Sequence, residues 1–99
     1  MTKLRAEQRR AQIIACATRL SRDGALYTVT PEDVATGVNV ARTTILHYYG
    51  SMQGLRDAIV KKAIEHDDLH ILAQAIAAHD PLTRELSDPQ RERALLSLS

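Results

Sequence analysis

His66 and His70 stand four residues apart in His66-Asp67-Asp68-Leu69-His70, and two imidazoles at that spacing on one helix face can share a metal ion. A zinc hydrolase of this pattern needs a glutamate directly after the first histidine as general base. Here that residue is Asp67, one methylene shorter, and only His79 or an acid is at hand as a further ligand. The expected role is a polar, solvated helix face, with no metal and no cofactor. The chain also has no glycine-rich phosphate loop, no G-x-S-x-G elbow and no second cysteine, so nothing in it supports catalysis and an enzyme is not expected. Cys16 has no partner for an intrachain disulfide; on the buried side of its helix it reads as a small core residue.

A different chemistry is offered by Pro31 to Gly50, PEDVATGVNVARTTILHYYG. Two short helices can cross steeply only if their inward positions are small or apolar and the residue between them accepts positive φ. Val34, Ala35 and Val38 supply the first inward set, Asn39 the turn, and Val40, Ile45 and Tyr48 the second, with Ala35 as the small residue at the closest approach. Thr30 before Pro31 reads as an N-cap with a first-turn proline, and Glu32 and Asp33 suit the positive helix end. This helix is expected to run to about Gly37 and the next from near Ala41 to Tyr49.

The elements around this unit follow from periodicity. Ile13, Ile14, Ala17 and Leu20 recur at helical spacing from about Leu4 to Arg22, with Gly24 as the stop. Gly50-Ser51 breaks the chain again, and Leu55, Ile59, Ile64, Leu69, Leu72 and Ile76 predict one long fourth helix or two joined pieces from Met52 to about Ala78, ended by Asp80-Pro81. Ser87-Asp88-Pro89 opens a last short helix carrying Leu95 and Leu96. The expected fold is all-α: a three-helix helix-turn-helix part over residues 1–51 and a bracing and dimerisation part of the same domain over 52–99.

Ninety-nine residues leave room for one small core, and 44% hydrophobic with 25% charged residues is the balance of a folded domain, not of a disordered tail. With three tyrosines and no Phe or Trp, that core must be aliphatic. No apolar run approaches the ~18 residues of a spanning helix, and the charged start MTKLRAEQRR lacks the apolar stretch of a signal peptide, so the cytosol is the expected compartment. The net charge of +1 conceals an asymmetry: ten Lys/Arg face five Asp/Glu up to Lys62, and three face seven beyond it. A front end that meets a polyanion and a back end that does not would give this split.

Ile13 to Leu55 resembles the DNA-binding domain of TetR-type transcriptional repressors. The resemblance rests on Ala17-x-x-Leu20, the Gly24 stop, Thr30, the Val34-Ala35 pair and the closing segment from Thr44 to Leu55. The chain departs from the family pattern at Asn39, where a turn glycine is usual, at Leu46 in place of a tyrosine, and at Met52 in place of a phosphate-binding lysine. Only about thirty-five residues follow Ile64, too few for the family's large ligand-binding domain, so no small-molecule inducer is expected. The economy resembles that of compact plasmid-type autoregulatory repressors.

A recognition helix in the major groove offers its N-terminal residues and outward face to base edges. Arg42 is the best base reader, since its fork matches guanine O6 and N7. Thr43 and Thr44 can touch a base edge or a thymine methyl, Leu46 makes apolar contact only, and His47 can reach a base or phosphate. Tyr48 and Tyr49 divide packing from phosphate contact, and the resemblance places Tyr48 near phosphate. Thr30 and Ala41 stand at helix N-termini for amide contacts to the DNA backbone, and Arg5, Arg9 and Arg10 add a sequence-independent term.

One such unit reads too few base pairs, so a homodimer on an inverted-repeat duplex is expected, its half-sites about one helical turn (~34 Å) apart. Leu69, Leu72 and Ile76 form the expected dimer stripe, with Leu82, Leu86, Leu95 and Leu96 closing over it; the other reading packs this stripe within one chain. The alternative function is a protein-binding module that pairs with a full-length regulator. A membrane-surface role for the first helix is disfavoured by its lack of aromatic anchors.

Overall fold

A computed structural model describes residues 5–97; the expected helix start at Leu4 and the charge of Lys3 lie outside the described residues. Those described fold as six α-helices and one short 3-10 segment, with no strand among them, so the all-α expectation holds. The helices are α1 (Ala6–Ser21), α2 (Pro31–Val38), α3 (Arg42–Tyr49), α4 (Met52–His66), α5 (Leu69–Ala77) and α6 (Asp88–Leu96), with the 3-10 turn at Pro81–Glu85 between the last two. None of these helices is long and apolar enough to cross a membrane.

Caps set most of the boundaries. Thr30, Ser51, Asp68 and Ser87 each accept a backbone N–H from the first turn of the helix that follows, which satisfies a donor that the helix itself cannot. At the other end, Asn39, Asp67 and His79 take the left-handed conformation at φ 58°, 57° and 56°. After each of them the next amide returns to a carbonyl five residues earlier: Val40 to Ala35, Asp68 to Ala63, Asp80 to Ala75. These are helix ends of the Schellman kind, made without glycine.

The left-handed Asp67 resolves the stretch from Met52 to Ala78 into two helices. It also separates the two histidines of the HDDLH segment, since His66 closes α4 while His70 lies in the first turn of α5. The premise of two imidazoles on one helix face therefore fails, and among the described residues no three His, Cys, Asp or Glu side chains group as metal ligands.

One aliphatic cluster runs through the described helices, from Ile13 and Ala17 of α1 through Val34, Ile45, Leu55, Ile59 and Val60 to Leu72 of α5, Leu86 and Ala94 of α6. The described residues on either side of Ser51 thus share a core. α1 packs on α2 and α4, α2 on α3, α3 on α4, and α5 on both α4 and α6. The apolar stripe of α5 is spent inside this arrangement. Leu72 is 0% exposed and Leu86 7%, and Leu69, Ile76 and Leu82 are half-buried against the same core. The expected dimer stripe is corrected accordingly: Leu72 and Leu86 are enclosed by the chain's own helices, because α4 and α6 flank α5 and cover its apolar face. Only Leu95 and Leu96, 45% and 67% exposed, project outward from that set.

Polar clasps tie the layers together. Gln74 of α5 accepts the Leu26 N–H at 2.9 Å and donates to the Ser21 carbonyl at 2.7 Å and that of Arg22 at 3.1 Å. Gln90 of α6 donates to the Ile64 carbonyl at 2.9 Å and to Asp67 Oδ1 at 3.1 Å. Arg56 of α4 donates to the Leu26 carbonyl at 2.9 Å. The loop after α1, the end of α4 and the start of α5 are therefore cross-linked by side chains that satisfy backbone groups which helix ends leave open.

Candidate nucleic-acid interface

The α2–α3 pair is fixed by its inward residues. Val34 and Ala35 of α2 and Ile45 of α3 are buried, while Val38, Val40 and Tyr48 pack half-buried against them. The chain turns between the helices at Asn39, whose short amide side chain tolerates φ 58° where a bulkier residue would clash. α2 also approaches α1 closely: a Cβ on Gly37 would stand 2.5 Å from Cys16 Sγ. Cys16 is buried and its thiol points to the Val34 carbonyl at 3.9 Å. The sequence places the tight approach at Ala35; Gly37 is a second one, inside α2 rather than at its end.

The far end of α3 is locked in the same manner. A Cβ on Gly54 would collide with the Tyr49 carbonyl, so only glycine lets the first turn of α4 close over the end of α3. Gly50 takes φ 78° between them. α3 is thus held at both ends, with Ile45 anchored in the core and Arg42, Thr43 and His47 exposed on the opposite side.

The candidate contact residues divide into free and engaged groups. Arg42 pairs with Glu32 of α2, Nε to Oε1 at 2.5 Å. Thr43 is exposed, and Thr44 and Leu46 are half-buried. Ala41 stands at the N-terminus of α3 and contributes no side-chain cap, which leaves the first-turn amides of α3 without the hydroxyl or carboxylate that caps α2, α4, α5 and α6. Thr30 differs from expectation. Its hydroxyl accepts the Asp33 N–H at 3.2 Å and its own N–H donates to Asp33 Oδ2 at 3.1 Å. That reciprocal cap consumes the Thr30 amide proposed for phosphate.

The two tyrosines of α3 divide as well. The Tyr49 hydroxyl donates to the Arg10 carbonyl at 3.1 Å, and burial pushes its phenol pKa up despite the nearby Arg10 cation. Tyr49 is a packing residue that ties α3 to α1. Tyr48 packs its ring against the core and meets His47 edge-on, centroids 5.1 Å apart. Its hydroxyl has no hydrogen-bond partner among the described residues. The Arg10 guanidinium lies 5.7 Å and 5.9 Å from the Tyr48 and Tyr49 ring centroids, close enough for a cation–π attraction. This contact brings the basic start of α1 beside the end of α3. On that start Arg9 donates to Gln12 Oε1 at 2.8 Å, the Arg5 amide donates to Gln8 Oε1 at 2.9 Å, and none of Arg5, Arg9 or Arg10 is in an ion pair among the described residues.

Two residues that shape this face, Gly37 and Gly54, went unread in the sequence, as did the clasp that Gln74 makes from α5 to the end of α1. Gln74 left a signal, since a glutamine inside Ile-Leu-Ala-Gln-Ala-Ile-Ala-Ala must find partners for its amide wherever that run is buried. Comparison with protein-family models, curated proteins and solved structures gave no match to this chain.

Proposed function

We propose that this protein is a sequence-specific, TetR-like DNA-binding repressor that acts as a homodimer on an inverted-repeat operator, its own promoter being the first site to examine. The observation that carries this reading is the presentation of α3: Ile45 is fixed in the core while Arg42, Thr43 and His47 face outward, with the arginines of α1 beside the helix end through Arg10. An α-helix fits the major groove, and an exposed arginine near its N-terminus suits a guanine. Thr44, Leu46 and Tyr48 flank this row, and Arg5 and Arg9 extend the positive charge along α1. In this reading the protein has no catalytic role, and repression follows from occupying the promoter.

The second copy meets the first through the end of α6, where Leu95 and Leu96 are exposed. The same leucines favour the second reading, a protein-binding module that pairs with another regulator.

The salt dependence of binding to a labelled random duplex separates the two. A DNA-binding protein that contacts phosphates through α1 loses affinity linearly in log–log form, and Arg9→Ala lowers the slope by about one. No measurable binding to duplex DNA at low salt, from a folded protein, would contradict the DNA reading.

A further inference from the structure

A groove of about 330 Å³ runs between the C-terminal halves of α1 and α4. Its floor is apolar, made by Ala15, Ile59 and Ala63, and its rim carries Arg19, Lys62 and His66. Both Arg19 and Lys62 are exposed, and neither takes part in an ion pair among the described residues. Among the described residues Arg19 donates only to the Cys16 sulfur, at 3.6 Å. The acid at one end of the groove, Asp68, is already occupied by Arg22 at 2.9 Å and caps α5 through the Ile71 N–H. An apolar trough with two unpaired cations and an imidazole on its rim, its one carboxylate neutralised, complements a molecule with an apolar body and one negative end. The groove is at the small end of the range for small-molecule sites, about 300–1,000 Å³.

We infer that this groove binds a small amphipathic carboxylate, its chain over Ala15, Ile59 and Ala63 and its carboxylate between Arg19 and Lys62. The site is independent of the proposed DNA face. It spans α1 and the elbow where α4 ends at His66 and α5 begins, so an occupant would bridge these elements. An open site of this size, holding a ligand of about ten non-hydrogen atoms, corresponds to a Kd on the order of 1 mM.

Octanoate is the probe, followed by amide chemical shifts of the full chain, with octanol and inorganic phosphate as separate arms. The expected result is a saturable set of shifts confined to residues around Ala15, Arg19, Ile59, Lys62 and His66. Octanol and phosphate should each bind about tenfold more weakly. Arg19→Gln and Lys62→Gln, both at exposed positions, should keep the native spectrum and weaken octanoate about threefold each, as exposed charge pairs do. Shifts scattered over the whole chain, equal affinity for octanol or phosphate, or undiminished binding in the double variant R19Q/K62Q would each overturn the assignment.

Discussion

Arg42 of α3 and Glu32 of α2 are joined by an ion pair of 2.5 Å across the turn at Asn39, with 53% and 61% of their side chains exposed. At that exposure water and salt screen the attraction, and such pairs contribute about 0–1 kcal/mol to stability. Its consequence lies in what the pair presents outward. In the proposed DNA reading, the guanidinium assigned to a base is held by a carboxylate that an approaching phosphate would confront, so the pair would have to open or reorient before Arg42 could form two bonds to a guanine.

Glu32→Gln therefore should leave stability within about 0.5 kcal/mol of the parent while tightening binding to random duplex more than to a selected site. The ratio of the two affinities, read by fluorescence anisotropy at fixed salt, should fall. An unchanged ratio with unchanged affinities would place the pair outside the DNA face.

The approach of α2 to α1 makes a second prediction. Alanine is the better helix former by about 1 kcal/mol, so Gly37→Ala would stabilise an exposed helix. Here the new methyl meets the buried Cys16 sulfur, and overpacking costs about 1–3 kcal/mol. Urea denaturation should show a net loss of about 1 kcal/mol for Gly37→Ala alone. In a Cys16→Ala background the same change should be neutral or favourable. Additive effects of the two substitutions would show that the helices separate freely at this point.

Tyr27 supplies a pH dependence. Its hydroxyl donates to Asp80 Oδ2 at 2.8 Å, and its pKa is raised, first by burial, then by the hydrogen bond to Asp80 and that carboxylate's charge, with Arg56 opposing. A group whose pKa is higher in the folded state stabilises the fold below its unfolded value, about 10 for tyrosine, and that contribution is lost as pH rises above it. Thermal melts should fall more steeply above pH ~10 in the parent than in Tyr27→Phe, which should start about 1 kcal/mol lower at neutral pH through loss of the hydrogen bond. Parallel curves for the two proteins would contradict the coupling.

Much of the helical order is legible from local chemistry. Thr30-Pro31 and Ser87-Asp88-Pro89 mark helix starts because the cap and the proline act within one turn, and Asn39 marks a stop because asparagine tolerates the left-handed region. Asp67 and His79 adopt that same conformation without advertising it, since their backbone is set by where α5 and the segment after it must pack. The stripe Leu69, Leu72, Ile76 shows the remaining limit. Periodicity identifies an apolar face, but whether a neighbouring helix or a second chain covers it depends on contacts distant in sequence, and α4 and α6 cover Leu72 completely. In the candidate site, the spacing identifies the outward row of α3 but not the engagement of the Thr30 amide and the Tyr49 hydroxyl, which depends on Asp33 and on the Arg10 carbonyl.

The most direct test is selection of bound sequences from a random duplex pool at ~150 mM salt, where sequence-independent electrostatic binding is weakened, carried out in parallel with the parent and Arg42→Ala. The DNA reading predicts an enriched inverted repeat with half-sites about one helical turn apart. It also predicts that Arg42→Ala binds that site about 1–3 kcal/mol more weakly, with preference relaxed at one guanine of each half-site. No enriched sequence from the folded parent, or an identical motif and affinity for Arg42→Ala, would contradict it.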